Sequence, residues 1–222
     1  MAAVRFAVIF MTVTILYCSC GRKKGNIVTG IRQVKSTELD STYLFDGETL
    51  NGWEITNFGP QGAVYVSGGA IILGMGDGCT GINWKGNFPE INYKVTLQAK
   101  KIAGNDFFCG ITFPVGSEHC SLIVGGWGGT VVGLSSINKM DASENETTTL
   151  MRFEKECWYN ICLIVKENNI KALINDSTVV DFVRGNKMLS IRPEVELSKP
   201  FGIASWNTTA GIRNIRVERI EE

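Results

Sequence analysis

The stretch YNICLIVKENNIKALINDSTVVDFV, Tyr159–Val183, decides the fold class. Ile161–Val165 is apolar on both faces, as expected of a strand near the centre of a sheet. Lys166–Asn169 is polar and turns the chain, Ile170–Ile174 returns, Asn175-Asp176-Ser177 turns it again, and Thr178–Val183 forms the next strand. Asn and Asp at such positions accept the backbone angles that tight hairpin turns require. Three short strands in immediate succession predict an antiparallel meander.

The same grammar extends in both directions. Upstream, Tyr93, Val95, Leu97 and Ala99 alternate with Lys94, Thr96, Gln98 and Lys100, which is the period of a strand with one buried and one wet face. Phe107–Phe113 and Cys120–Val124 are apolar runs separated by Pro114, Gly116 and Ser117, and read as two strands joined by a turn. No long amphipathic helical period occurs. With 222 residues, 25 glycines, 5 prolines and no low-complexity run, the chain suits one all-β domain of many short strands, two antiparallel sheets packed face to face. Lys+Arg and Asp+Glu are equal at 22 each, so nucleic acid is not an expected partner.

The chain opens differently. Met1–Arg5 carries one positive charge, Phe6–Leu16 is an apolar run too short to span a bilayer comfortably, and Tyr17-Cys18-Ser19-Cys20 follows. This pattern resembles a bacterial lipoprotein signal, with Cys20 as the lipidated residue after small Ser19; Tyr17 departs from the aliphatic residue usual there. An ordinary cleaved signal or a short anchor is the alternative. The expectation is an exported protein, periplasmic or at the cell surface, held to a membrane through Cys20. Residues 1–20 are then the signal, 21–41 a polar tether with Arg22, Lys23 and Lys24 at its start, and 42–222 the folded domain.

The domain begins with Leu44-Phe45-Asp46-Gly47 and Leu50-Asn51-Gly52-Trp53. Val66-Ser67-Gly68-Gly69-Ala70-Ile71-Ile72-Leu73 follows, then Cys157-Trp158-Tyr159-Asn160, Ala172-Leu173-Ile174-Asn175-Asp176-Ser177, and Gly211-Ile212-Arg213-Asn214-Ile215. In this order and spacing the motifs resemble the DUF1080 family, also called the 3-keto-disaccharide hydrolase domain, over about residues 42–220. The resemblance implies a concanavalin-A-like jelly-roll fold and a substrate already oxidised to a ketone at C3. That ketone acidifies the hydrogen on C2, so a base can remove it, the glycosidic group leaves from C1, and water adds afterwards. A separate sugar oxidoreductase is implied as the source of the ketone. Such chemistry needs a base and a group that stabilises the enolate, and not the paired carboxylates of ordinary glycosidases.

Candidates for the base are His119, Asp106, Glu118, Glu144 and Glu146; Arg152, Arg192 and Arg213 are candidates for charge stabilisation. His119 titrates in the useful range, but as a lone histidine beside Cys120 it reads equally as a turn or core residue. Gly125-Gly126-Trp127-Gly128-Gly129 sets one indole among four residues without side chains. It reads either as a stacking platform for a sugar, approached closely over Gly126, or as a core tryptophan beside a bend. Trp206 is a second stacking candidate, and Asn145, Glu194, Arg192 and Arg213 are candidates for sugar hydroxyls. No cofactor is identified. The oxygen-rich run Asp141–Thr147 offers donors that a divalent cation such as calcium takes, or it is a solvated acidic loop. Phosphate loops, nucleotide fingerprints, zinc motifs and serine-hydrolase elbows are absent.

Seven cysteines are present, five of them beyond Cys20. Cys109 and Cys120 are candidates for a bridge between neighbouring strands; the other reading is buried thiols packed as small hydrophobes. Many family members carry a glutamate and a glutamine in the middle strand of the concave face, where this chain has Cys120-Ser121-Leu122-Ile123-Val124. Three readings follow: a 3-keto-glycoside hydrolase or lyase, a non-catalytic carbohydrate-binding module, or a surface interaction protein with a lectin-like fold.

Overall fold

The computed structural model describes residues 41–221. The expected signal, Cys20 and all but the last residue of the tether lie outside the described residues. Strand β1 (Ser41–Tyr43) opens the described chain, followed by β2 (Trp53–Ile55), β3 (Val64–Ser67), β4 (Ala70–Leu73) and β5 (Cys79–Trp84). Next come β6 (Tyr93–Gly104), β7 (Cys109–Val115), β8 (Glu118–Gly126), β9 (Val131–Ser135) and β10 (Thr149–Leu150). The meander is β11 (Tyr159–Lys166), β12 (Asn169–Ile174) and β13 (Ser177–Val183), and β14 (Gly202–Trp206) and β15 (Thr208–Arg219) end the fold. The one helical element among the described residues is a 3₁₀ turn, Pro193–Ser198.

Two antiparallel sheets result. One has the order β13-β12-β11-β6-β15-β4-β3, with β1 also on β15; the other runs β10-β9-β8-β7-β14-β5-β2. This is the concanavalin-A-like jelly-roll sandwich. The alternation read in β6 is borne out: Tyr93, Val95, Leu97 and Ala99 are buried, and their neighbours are half-buried on the outer face. They meet Ile111, Phe113, Leu122, Leu134 and Ile203 of the second sheet in one core. In β11, Ile161, Leu163 and Val165 point inward while Cys162 and Ile164 stay half-exposed, so only one face of this strand is buried.

The family motifs build the fold locally. The Trp53 indole N–H donates to Leu44 O at 2.7 Å, closing the loop between the two halves of the opening signature. Inside that loop Asp46 accepts from the Glu48 and Thr49 N–H groups and from the Thr49 hydroxyl. Gly52 takes φ +79°, and a Cβ there would stand 2.4 Å from the Trp84 ring. Asn175 and Asp176 both have positive φ between the paired Ile174 and Ser177, the geometry of a two-residue hairpin turn. Asn214, at φ +55°, lies in a bulge of β15 where Gln98 Oε1 accepts from Arg213 Nε and Asn214 Nδ2.

Pro114 belongs to β7 and not to the turn, which is Gly116-Ser117 alone. β14 pairs with β7 only at Gly110–Thr112, so at Pro114 that side of the strand has no ladder to interrupt. The cysteine bridge is overturned. Cys109 pairs with Val124 and Cys120 with Phe113, four residues apart along neighbouring strands. That separation, about 13 Å, exceeds the reach of a disulfide. All five described cysteines are free: Cys79, Cys109 and Cys120 are buried, Cys162 is half-buried and Cys157 is exposed.

Candidate functional site

The outer face of the second sheet carries few side chains across its middle. The register places Gly81, Ala204, Gly110, Ile123 and Gly133 side by side on β5, β14, β7, β8 and β9. The next outward row is Asn83, Gly202, Thr112, Ser121 and Ser135. Four glycines and an alanine therefore lie in two adjacent rows that cross five strands. Neighbouring strands stand about 4.8 Å apart, so the bare floor is about 19 Å long.

Other segments fold down onto that floor, and the glycines are where they touch. A Cβ on Gly110 would lie 3.0 Å from the Phe107 ring, one on Gly133 3.1 Å from Ala142 O, and one on Gly202 2.6 Å from Ser198 O. Phe107, the acidic loop and the 3₁₀ turn are thus seated on glycine. Between them is a cavity of about 170 Å³, lined by Asp106, Phe107, Ser121, Ile123, Trp127 and Ser135, with Arg192, Glu194, Val195, Cys79 and Trp206 completing it. The sequence candidates Asp106, Trp127, Arg192, Glu194 and Trp206 converge here, and Gly126 borders them, since a Cβ on it would come within 3.9 Å of Asp106 Oδ1.

Asp106 stands between β6 and β7. Its N–H donates to Thr208 Oγ1 at 3.1 Å, and Oδ1 accepts from the Phe107 N–H at 2.7 Å, which leaves Oδ2 available among the described residues. Arg192 ties two walls together. It donates through Nη1 to Asp141 of the acidic loop and through Nε and Nη2 to Glu194 of the 3₁₀ turn. The Arg192 hydrogen bonds hold the Glu194 carboxyl below its ordinary range, and Glu194 in turn raises the guanidinium. Asp141 also accepts from the hydroxyls of Ser135 and Ser136. On the floor, Thr112 and Ser121 share a hydroxyl–hydroxyl bond of 3.0 Å. Cys79 is a buried thiol pushed up to about 12, first by burial and then by Glu194.

The structure places the remaining candidates elsewhere. Glu118 pairs with Arg184 and accepts from the Leu189 N–H, so it is a structural anchor and not a base. Glu146 pairs with Lys187 on the surface, and Glu144 and Arg152 are exposed and do not line the cavity. Asn145 is buried, and its amide donates to the carbonyls of Leu134, Met140 and Asp141. It shapes the acidic loop instead of binding a ligand. Arg213 lies on the outer face of the other sheet, 4.0 Å above the Trp158 ring, with the core between it and the cavity. His119 shares the outward face of β8 with Ser121, but lies outside the cavity near Lys199, Glu196 and Glu90; burial, then Lys199, lowers its pKa. Among the described residues no group of three or more His, Cys, Asp or Glu side chains is placed to hold a metal ion. Ser121, Ser135, Phe107 and Cys79 were not singled out as ligand contacts by sequence, because only the strand register brings them to one floor.

A model of the 3-keto-alpha-glucoside-1,2-lyase-like domain matches residues 40–218. The chain belongs to that family. No curated protein matches this chain in sequence. Among solved structures it is similar to a glycosyl hydrolase candidate from Parabacteroides distasonis, at 14% identity and TM-score 0.53, covering 82% of this chain and 94% of that one. It is also similar to the Crh5 transglycosylase in complex with NAG, at 13% identity and TM-score 0.58, covering 82% and 84%. A Bacillus subtilis protein with a galectin-like fold gives 11% identity and TM-score 0.56, covering 76% and 90%. At these identities the likeness is one of fold. The family membership gives the lyase-like domain a carbohydrate-related function.

Proposed function

We propose that this domain cleaves glycosides whose sugar carries a ketone at C3, with Asp106 as the base. The observation that carries the reading is the convergence of one available carboxylate, two indoles and a guanidinium on a small cavity over a floor of mostly glycine and small side chains. A sugar ring lies against such a floor, the Trp206 indole covers its apolar face, and hydroxyl and carboxylate groups take its oxygens.

In this reading the Asp106 carboxylate removes the proton on C2, and the electron pair moves into an enolate across C2, C3 and the ketone oxygen. The bond from C1 to the leaving oxygen then breaks, the leaving alcohol takes up a proton, and an enone sugar remains. Addition of water across its double bond completes a net hydrolysis. Ser121 supplies a hydroxyl donor when Thr112 donates to it, and Arg192 retains two N–H groups beyond the three it gives to Asp141 and Glu194. The ketone comes from a separate oxidation of the parent glycoside. Export and lipidation at Cys20 belong to the same proposal and place the reaction outside the cytoplasm.

The test is incubation of purified residues 21–222 with 3-keto-glucosides and with their unoxidised parents, with and without a chelator. Release from the keto substrates alone is the expected result, and loss on chelation would assign the enolate to a bound cation. Saccharide binding without release would replace the enzyme by a carbohydrate-binding module.

A further inference from the structure

Trp127 is the one large hydrophobic side chain lining the cavity that is exposed, at 41%, whereas Ser121 and Ser135 on the floor are 2% and 1% exposed. It therefore stands at the mouth. The loop that carries it is packed and not loose. A Cβ on Gly125 would stand 3.0 Å from the Phe108 ring, and one on Gly129 3.0 Å from Asn105 O. The Gly129 and Thr130 N–H groups both donate to Gly126 O at 3.2 Å. The backbone that carries the indole is held in place and has no other side chain to offer over five residues, so stacking on it orders little more than the indole itself.

Asp106 is the neighbour of this loop across Gly126. A base acting at C2 lies beside C1, the next carbon of the ring, and C1 carries the leaving group. With C1 turned outward and C3 inward, the carbon that loses its substituent would lie on the Trp127 side of the mouth. At about 170 Å³ the cavity is small beside the ~300–1,000 Å³ of pockets that enclose a drug-sized ligand, so it encloses one ring. The second unit of a disaccharide must lie outside.

Resting on the reading that the domain cleaves 3-keto glycosides, we infer that Trp127 is the platform for the leaving group and sets the preference for a cyclic leaving group over a small one. The keto ring is held by the floor, Phe107, Ile123 and Trp206, and Trp127 stacks on the unit that departs. Binding energy from this remote unit is used at the reacting centre.

The experiment compares kcat/KM for a 3-keto disaccharide and for methyl 3-keto-glucoside in the wild type, Trp127→Ala and Trp127→Phe. Loss of indole stacking lowers kcat/KM for the disaccharide by about 10- to 100-fold in the alanine variant, while the methyl glycoside stays within about threefold and phenylalanine restores much of the difference. Trp127→Gly suits the left-handed backbone at this position, φ +48°, and repeats the comparison should the alanine variant fold poorly. An equal loss on both substrates, or none on either, overturns the assignment and leaves the proposed reaction standing. A wild type that cleaves neither overturns the reaction and the assignment together.

Discussion

Asp106 differs from Glu118 and Glu146 in what its oxygens do, and from Glu144 in lining the cavity. Glu118 and Glu146 are paired with Arg184 and Lys187, whereas Asp106 has one oxygen on a backbone N–H and one available. Asp106→Asn keeps the shape and the acceptor for Phe107 but cannot take a proton. Its release of leaving group from a 3-keto glycoside falls by about 10²–10⁴-fold, with ligand protection against heating retained. His119→Gln, outside the cavity, leaves release within about twofold of wild type in the same assay, so the pair separates the two candidates. The sequence could nominate both, since each is a titratable group in a glycine-rich segment. It could not choose, because hydrogen-bond partners such as Thr208 and Phe107 lie in three dimensions.

At the scale of elements, the segments that made the family recognisable are devices of folding. Trp53 closing on Leu44, the Asn175-Asp176 turn and the Arg213-Asn214 bulge each fix a chain path, and none of these residues lines the cavity. They were legible because each is a local pattern with a local physical cause. The floor was not legible. Gly81, Gly110, Gly133 and Gly202 lie far apart in sequence, and only pairing register shows that they share two rows. Nor was Pro193–Ser198 legible, because a 3₁₀ turn this short has no apolar period to detect. Gly202→Val tests the seating of that turn, because its branched side chain meets Ser198 O, 2.6 Å from the Cβ position. Overpacking of this kind lowers the thermal midpoint by about 2–12 °C, and saccharide protection is lost as Arg192 and Glu194 move. Gly116→Asn is the control: nothing lies within 4 Å of its Cβ position, and Asn tolerates the positive φ there.

Over the whole molecule, stability follows from burial without cross-links, since the five described cysteines are free. The pH response can be signed. Burial lowers the His119 pKa in the folded state, so its contribution to stability is full above the unfolded value near 6.5 and is lost as pH falls through the folded value. Glu194, lowered first by its Arg192 hydrogen bond, adds a second loss of the same sign below the ordinary carboxylate range. Thermal midpoints measured from pH 8 to pH 3 accordingly fall in two stages, and His119→Gln flattens the first stage alone. A single stage in the variant and two in the wild type is the expected result; two in both assigns the upper stage to another group.

The two bare rows have a consequence for how such a domain changes its ligand over time. Gly110, Gly133 and Gly202 are each in contact with a covering segment, so substitution in the floor disturbs a wall before it alters recognition. Variation is freer in the coverings, where the side chains of Phe107, Trp127, Arg192 and Glu194 line the cavity from outside the strands. The sheet then works as a blank bench on which interchangeable tools are clamped, and new sugar preferences arise by changing tools while the bench keeps its shape.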